Sequence, residues 1–584
     1  MSAVNAIFAA LLTALLALGV RGRPRADGRA QALGQRLWAF IDRRYALCAL
    51  LLLALAVTLR VYRFPEIPYG MNTDGVMSTL DAWALSSYGT DRFGTPYPTM
   101  LWGWGYGQQS ALYAYWASLF TRFLGLNKLS LRLPMLSVAL LSLPVLFDLA
   151  RRVAGRGYAL MTLALCAVLP WHVVQSRWSI DAHMFCHMLL FSTYFLVLGT
   201  RRRGFYALSM VFFGLTMYAY AIAAYSVPIL LLSSGVYLLA HGKISLRQLL
   251  GCAAIYLLVA LPLLLTLAIN LLGLETMRLG PLTLQRFSAS VRASDTLFLA
   301  QKDMFVQLRE NLLTFLHHTF LQSSGGWPTV VEGFGTLYVF STPALLAGLY
   351  LFWRDRRANA LGGGTDAQRA GRADSGYLVL CWLFAMFCCG LFTNLSNTWR
   401  SNGIYYPLLL LVSYALYAAA RRVKALLPLM MAVYAVGAAL FTAAYFDPAR
   451  LAAHTEELEA DQIEALEYMD TLPFEYACLS VGTDPERRVV AEINALFVHG
   501  IDALQFQDKK PLLDGAGDEL GYYSDIYEYW TEDGGFTPFE DENMVYLLRA
   551  GEEEAFEGLD FALRPFGRFV VAYPAQYLPE GGDA

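Results

Sequence analysis

Long apolar runs separated by short basic clusters are the main pattern of this 584-residue chain. An α-helix needs about 17 to 25 apolar residues to cross a hydrocarbon layer of about 30 Å. Runs close to that length recur before residue 446, among them residues 46–61, 129–149, 249–270, 337–353 and 426–445. The pattern predicts a mainly α protein, a polytopic membrane bundle of about 11–13 transmembrane helices.

The basic residues predict the direction of the helices. They cluster between the apolar runs, at residues 21–44, 151–156, 201–203, 243–247, 354–357 and 421–424. If every cluster faces the cytoplasm, the helices between them alternate without conflict. Loops 62–128, 171–183, 270–334 and 394–402 are then extracytoplasmic. The first run, residues 5–20, is predicted to be an anchored helix, with a signal peptide as the competing interpretation.

The composition changes after residue 446. Hydrophobic residues make up 57% of the chain and charged residues 16%, yet about thirty of the 47 acidic residues follow residue 451. The tail shows an amphipathic helical pattern at 454–470 and β-like runs at 477–481, 544–548 and 569–573.

We therefore expect three parts in a protein of the cell (inner or plasma) membrane. Residues 1–44 form a membrane segment and a basic cytoplasmic loop. Residues 45–446 form the transmembrane domain, and residues 447–584 form a small acidic α/β domain on the extracytoplasmic side. Glycines near residue 363 predict a flexible cytoplasmic linker at 361–375.

The first outer loop carries a carboxylate, Asp74, at the start of a predicted helix. Asn72, Thr73, Asp74 and Gly75 precede a helical pattern at 76–88. A carboxylate leaving the membrane into a half-dry loop suits a general base for an acceptor hydroxyl. The other interpretation is that Asp74 caps the helix, because Asn, Thr and Asp are preferred there.

The second outer loop places four polar side chains at the mouth of two membrane helices, namely His172, Arg177, Asp181 and His183. Ionisable groups at this depth are functional candidates. The guanidinium fork of Arg177 suits a phosphate, and Asp181 would orient it or bind a metal. The alternative is an i,i+4 pair of Arg177 and Asp181 that stabilises a helix end. The histidines do not have zinc-site spacing.

Two further candidates lie in later segments. Arg400 is the one cation of the outer loop at 394–402, where it would either grip a phosphate or snorkel to lipid headgroups. Tyr218 and Tyr220 lie near the outer end of a helix hairpin, where packing is their default use.

These residues occur in an order that resembles a known superfamily. The matching positions are Asp74, Tyr88 to Gly94, Arg132 to Pro134, Pro170 to His172 with Ser176 and Arg177, Phe334 to Tyr338, and Arg400. The set resembles the GT-C superfamily of membrane glycosyltransferases. Within it, the chain looks most like bacterial relatives of protein O-mannosyltransferases and lipid A aminoarabinose transferases.

The resemblance implies transfer of a sugar from a polyprenyl-phosphate carrier to an extracytoplasmic glycan, lipid or protein, with inversion at the sugar. Asp74 takes the place of the general base. Arg177 and Arg400 would bind the phosphate, with Asp181, His172, Tyr218 and Tyr220 in support. Many relatives carry Asp-Glu where this chain has Asp74 and Gly75.

The partners implied are the lipid-linked sugar and membrane lipids, with no nucleic acid. No cofactor is required, although the chemistry leaves room for a divalent metal such as Mg²⁺ or Mn²⁺. A phosphate leaves as a stable anion without a general acid, so one carboxylate suffices, unlike the pair in a glycosidase.

Other functions fit part of the pattern. A non-catalytic relative, or a transporter or flippase, would use the same cavity to bind lipid-linked sugars, but the internal repeats typical of transporters are not evident. A membrane-anchored binding module would instead use the aromatic tail to recognise a polymer or protein.

Overall fold

The computed structural model describes residues 1–21, 28–103, 108–287, 304–322, 329–361, 365–393, 398–480, 485–508, 510–513, 519–523, 525–530, 536–539 and 543–577. Helices dominate up to residue 446, and a mixed sheet follows. The predicted fold class, a mainly α membrane bundle with a small C-terminal α/β domain, is confirmed.

The helices before residue 273 form the first part of the bundle. They are α1 Ser2–Arg21, α2 Arg29–Arg43, α3 Tyr45–Val61, α4 Thr73–Tyr88, α5 Leu112–Leu124, α6 Lys128–Ala154, α7 Arg156–Val168, α8 Pro170–Gln175, α9 Asp181–Gly199, α10 Gly204–Thr216, α11 Ala223–Ala240 and α12 Leu246–Leu272. Two short hairpins lie in the loops that the sequence predicts to be extracytoplasmic, β1 Met100–Trp102 with β2 Gln108–Ser110, and β3 Met277–Leu279 with β4 Leu282–Leu284.

The second part of the bundle and the helices of the tail follow. They are α13 Met304–Leu316, α14 Thr342–Arg357, α15 Asp366–Phe392, α16 Thr398–Ser401, α17 Tyr405–Arg422, α18 Leu426–Tyr445, α19 Pro448–Ala452, α20 Ala460–Met469, α21 Pro485–Val498 and α22 Ala503–Gln507.

Polar caps fix where several long helices begin. Asn127, Ser245 and Thr365 each form a capping box, in which the side chain accepts from the backbone of the first turn and a side chain of that turn returns a bond. The cap at Thr365 starts α15 inside the predicted linker. The linker prediction is therefore wrong from residue 366 onward, and its glycines Gly362, Gly363 and Gly364 lie outside the described residues.

The number of crossings depends on how short helices are counted. In the described part of the chain, eight helices are long and apolar enough to span a membrane, or nine if the pair α2 and α3, bent by 92°, counts as one span. The apolar helices α7 and α10 are shorter and lie between these spans. Counting the bent pair as one span and adding these two helices gives 11 crossings, the lower end of the predicted range. The chain is a multi-pass membrane protein.

The tail is built around one seven-stranded sheet. Its strands are β5 Tyr476–Ser480, β6 Lys510–Leu513, β7 Glu519–Tyr523, β8 Ile526–Trp530, β9 Met544–Arg549, β10 Phe561–Phe566 and β11 Phe569–Pro574, in the spatial order β10-β11-β9-β5-β8-β7-β6. The central strand β5 runs parallel to both neighbours, and all other pairs are antiparallel. Strands β5, β9 and β11 coincide with the three predicted β-like runs, and the other four strands were not predicted.

The tail shares a hydrophobic core with α4. Val76, Met77 and Leu80 of α4 belong to the same buried cluster as Leu466 of α20 and Leu496 of α21. Polar contacts reinforce this junction, since the Leu458 carbonyl accepts from Met71 N at 2.8 Å. Helix α4, which carries Asp74 in its first turn, is thus held between the membrane bundle and the tail. The division into parts at residues 44 and 446 stays a prediction.

Candidate functional site

The amino terminus of α4 places Asp74 in the first helical turn. Asn72 is the N-cap, because its Oδ1 accepts from Gly75 N at 3.2 Å. The capping role that competed for Asp74 therefore belongs to Asn72. Asp74 is half-buried and lines a cavity, while the left-handed Gly89 ends the helix after Tyr88.

Arg177 holds the segment that leads into this helix. Its buried guanidinium donates from Nε to the Ile67 carbonyl at 3.1 Å, from Nη1 to the Arg60 carbonyl at 2.9 Å, and from Nη2 to the carbonyls of Tyr62 at 2.8 Å and Arg63 at 3.2 Å. Burial lowers the pKa of Arg177. Each of its three nitrogens already serves the backbone, so this geometry does not support the phosphate contact of Arg177, which stays a prediction.

Arg132 acts on the same segment from α6. Its guanidinium donates to the carbonyl oxygens of Pro65, Pro68 and Gly70, with the Pro68 bond at 2.7 Å. Two buried arginines thus fix the stretch between α3 and Asp74. A buried carbonyl without a partner is costly, which gives these cations a structural use.

Arg177 and Asp181 do not lie on one helix, so the alternative interpretation as an i,i+4 helical pair is wrong. Residues 177–180 are not helical, and Asp181 is the first residue of α9. Its Oδ1 accepts from Ala182 N at 2.7 Å and its Oδ2 from Ser110 N at 3.3 Å. The contact with Ser110 joins the second outer loop to strand β2 of the first.

Gly75 allows the two outer loops to touch. A Cβ at this position would lie 2.3 Å from the carbonyl oxygen of Ser179. Any larger residue must therefore displace either α4 or the backbone before α9. The glycine that stands where many GT-C relatives have Glu is explained by this close approach.

The cavity collects most of the predicted site residues. It measures about 130 Å³ and is lined on its polar side by Asp74, Thr99, Gln108, Gln109, Ser110, Asp181, Tyr218, Tyr220, Thr393, Trp399 and Arg400. Met217, Leu263 and Leu267 contribute an apolar wall. Five predicted residues, from four separate stretches of the chain, therefore meet at one cavity: Asp74, Asp181, Tyr218, Tyr220 and Arg400.

Tyr218 is held rigidly at this wall. Its hydroxyl donates to the Val259 carbonyl at 3.0 Å and accepts from Leu263 N at 3.2 Å. The bond pair joins the segment after α10 to α12 beside Pro262, which lacks an N–H. Tyr218 therefore shapes the cavity besides lining it.

His172 lies elsewhere, in the packed bundle. Its Nδ1 accepts from Arg60 Nε at 3.1 Å, and its Nε2 lies 3.0 Å from both Ser142 Oγ and Tyr406 Oη. The Tyr406 hydroxyl also contacts His187 Nδ1 at 2.8 Å. His172 is thus part of a buried polar network and does not line the cavity, so this geometry does not support its substrate contact, which stays a prediction.

A buried ion pair joins α4 to the loop that follows it. Arg92 Nη1 lies 2.6 Å from Asp81 Oδ2, and both side chains are buried. The neighbouring Asp91 accepts at Oδ1 from Phe93 N at 3.0 Å and Thr95 N at 2.8 Å. Burial raises the pKa of Asp91 to about 7, and the Asp81 carboxylate adds to the rise.

The metal question turns on the ligands. Among the described residues, no group of three or more His, Cys, Asp or Glu side chains is placed to hold a metal ion. The cavity contributes two carboxylates, Asp74 and Asp181. These residues alone do not complete a protein cage for Mg²⁺ or Mn²⁺.

Sequence reasoning missed the contribution of β2. Gln109 is buried, its Nε2 donates to the Asp74 carbonyl at 3.1 Å, and its Oε1 has no partner in the described part of the chain. Gln108 and Ser110 flank it at the cavity. The signal was a run of three uncharged polar residues in an otherwise aromatic loop.

Comparison with known proteins gives a consistent result. Residues 108–268, less than half of the chain, match the family model described as dolichyl-phosphate-mannose-protein mannosyltransferase. The structure resembles ArnT from Cupriavidus metallidurans bound to undecaprenyl phosphate, with 14% identity, a TM-score of 0.51, and coverage of 93% of this chain and 99% of that one. The chain has the GT-C fold.

A second GT-C structure is also similar. The archaeal oligosaccharyltransferase AglB from Archaeoglobus fulgidus, solved with an inhibitory peptide and a dolichol-phosphate, shares 14% identity and a TM-score of 0.45. It is matched over 78% of this chain, which spans 64% of the length of AglB. No curated protein matches significantly in sequence. The resemblance of the outer-loop motifs to the GT-C superfamily is confirmed at the level of the fold.

Proposed function

We propose that the protein is a glycosyltransferase that moves a sugar from a polyprenyl-phosphate carrier to an acceptor on the extracytoplasmic face. The observation that carries the proposal is the convergence of Asp74, Asp181 and Arg400 at one cavity in a multi-pass GT-C fold. The ArnT structure bound to undecaprenyl phosphate supports a lipid phosphate as part of the donor.

Asp74 is the general base of this proposal. Its half-buried carboxylate takes the proton of an acceptor hydroxyl as that oxygen bonds to the anomeric carbon of the sugar. The bond between that carbon and the phosphate oxygen breaks, and its electron pair leaves with the lipid phosphate. Attack opposite the leaving group inverts the anomeric centre.

Arg400 is the cation that stabilises the leaving phosphate. It replaces Arg177 in this role, because Arg400 lines the cavity whereas the nitrogens of Arg177 are committed to backbone carbonyls. A fixed guanidinium stabilises the charge that develops on the phosphate more than the charge already present in the donor. Asp181, anchored by Ser110 N, orients donor or acceptor hydroxyls in the same cavity.

The test is turnover of lipid-linked sugars by wild type and Asp74→Asn, followed as release of polyprenyl phosphate. Removing one base is expected to lower kcat by about 10²–10⁴-fold. Asp366→Asn is the matched control, because Asp366 also lies in the first turn of a helix but has a side chain 94% exposed. Wild-type activity in Asp74→Asn would refute the assignment of the base. Donor binding without turnover in the wild type would instead favour a non-catalytic carrier-binding protein.

A further inference from the structure

The hairpin formed by β3 and β4 exposes an apolar edge. Strand β3 is exposed at all three positions, with Met277 at 55% and Leu279 at 43%. Met277 pairs with Leu284 and Leu279 with Leu282, so these four side chains share one face. An edge strand with exposed large apolar residues is an aggregation hazard in water.

This edge continues the lipid-facing surface of a membrane helix. Helix α12 exposes Leu257, Leu258, Leu261 and Leu265 along its length. The exposed surface runs on through the end of the helix and into the turn, at Leu271, Leu272 and Leu274, and reaches the hairpin. Because α12 is a candidate membrane span, an apolar surface continuous with it has lipid as its natural solvent.

The hairpin is also bound firmly to the wall of the cavity. Thr283 N donates to the Tyr97 carbonyl at 3.2 Å, and Thr99 N donates to the Thr283 carbonyl at 3.2 Å. Thr99 itself lines the cavity. At the other end, the Asn270 side chain donates to the Gln285 carbonyl at 2.8 Å and accepts from Phe287 N at 2.8 Å. Strand β4 is therefore attached to the cavity wall through Thr99, while β3 is exposed.

Two cations flank the apolar edge. Arg278 lies between Met277 and Leu279, on the opposite face of the strand, and is exposed. Arg286 is exposed as well and lies 3.2 Å from Glu275. Alternation of apolar and cationic side chains is typical of elements that lie at the headgroup level.

We propose that this hairpin is embedded in the outer membrane leaflet beside the cavity, where its apolar edge contacts lipid and forms the side from which the prenyl chain of the donor reaches the site. Helix α12 turns Leu263 and Leu267 to the cavity and Leu261 and Leu265 to the lipid. The hairpin extends this partition past the end of the helix. The membrane contact is inferred from the geometry of the hairpin, whereas its role in donor access rests on the proposed function.

Site-directed spin labelling tests the membrane contact in lipid nanodiscs of phosphatidylcholine and phosphatidylglycerol. A nitroxide is placed at Met277→Cys or Leu279→Cys, in a background with Cys48 and Cys388 replaced by alanine because the other six cysteines are buried. The control is Leu563→Cys, an equally exposed leucine (44%) on strand β10 of the tail. Both hairpin labels are expected to be more accessible to oxygen than to a polar nickel chelate, and the control label the reverse. Hairpin labels that behave like Leu563→Cys would overturn the proposal.

Kinetics test the part that concerns the donor. Leu279→Asp is expected to raise KM for a long-chain polyprenyl donor about tenfold and to leave KM for a short, water-soluble prenyl donor unchanged, with kcat unchanged for both. An equal KM in variant and wild type for both donors would overturn the role in donor access. A wild-type protein without turnover would count against the proposed function, while the spin-label result would still decide the membrane contact.

Discussion

The contact between Gly75 and Ser179 offers the sharpest test of how the site is assembled. In Gly75→Ala the new Cβ would meet the Ser179 carbonyl oxygen at 2.3 Å, whereas ordinary contacts begin at 3.4 Å. Helix α4 and the segment before α9 must therefore separate by about 1 Å. A displacement of that size at a reacting group costs about 10²-fold in rate, or about 2.7 kcal/mol.

The effect on stability is expected to be much smaller than the effect on rate. Overpacking a tight contact costs about 1–3 kcal/mol, but alanine is better than glycine inside a helix by about 1 kcal/mol. The net loss should therefore be no more than about 2 kcal/mol, visible as a modest fall in thermal midpoint. Gly75→Glu, which restores the residue of many GT-C relatives, should be worse on both counts because its side chain is longer.

The assay compares kcat and thermal midpoint in detergent with those of Gly251→Ala. Gly251 lies within α12, and a Cβ there meets nothing within 4 Å. This control should keep full activity and gain a little stability. If Gly75→Ala retains kcat within twofold of the wild type, Asp74 does not depend on this contact, and our account of the missing Glu fails.

Three further predictions separate catalytic from structural roles. Arg177→Met should unfold at a markedly lower temperature, with a loss of about 3–5 kcal/mol in stability, because several buried carbonyls lose their donor. Arg400→Gln should instead keep the wild-type thermal midpoint and lose turnover. Equal midpoints in the two variants would refute the structural role of Arg177. Because the pKa of Asp91 is raised to about 7 from 3.8, its contribution to stability is fully present below pH 4 and is lost as pH rises to 7. Asp91→Asn should therefore exceed the wild type in stability above pH 7, by at most about 4 kcal/mol, and a pH-independent difference would contradict it. Leu466→Ala, in the core shared by the tail and α4, should lower stability by about 2–5 kcal/mol. It should also lower kcat, measured per amount of folded protein. A loss of stability with unchanged kcat would show that the tail does not support the site.

The arginines show why some site residues could not be assigned from sequence. Arg177 and Arg400 both follow apolar segments in short outer loops, and both are cations that suit a phosphate. Their different uses arise because the chain between residues 60 and 70 passes Arg177 and turns four of its carbonyl oxygens toward the guanidinium. The assembled fold decides which backbone carbonyls need a side-chain donor. No local sequence pattern shows this.

Asp74 and Gln109 are two cavity residues whose contacts could not be assigned from sequence. The sequence marked Asp74 as a polar group at a helix start, but whether it or Asn72 served as the cap was decided by backbone geometry. Gln109 carried only the weak signal of polarity in an aromatic loop. Its contact with Asp74 spans 35 residues, and pairing of β1 with β2 is what creates it.

The sequence by itself determined the membrane class, the mainly helical bundle, the order of the outer loops and the acidic α/β tail, because hydrophobic period and charge placement are local and set by the solvent around each segment. Tertiary structure alone decided which of the candidate side chains line one cavity and which instead donate hydrogen bonds to the backbone. That decision depends on contacts between residues far apart in the chain, such as Ser179 against Gly75, whose free energies exist only after the helices have packed.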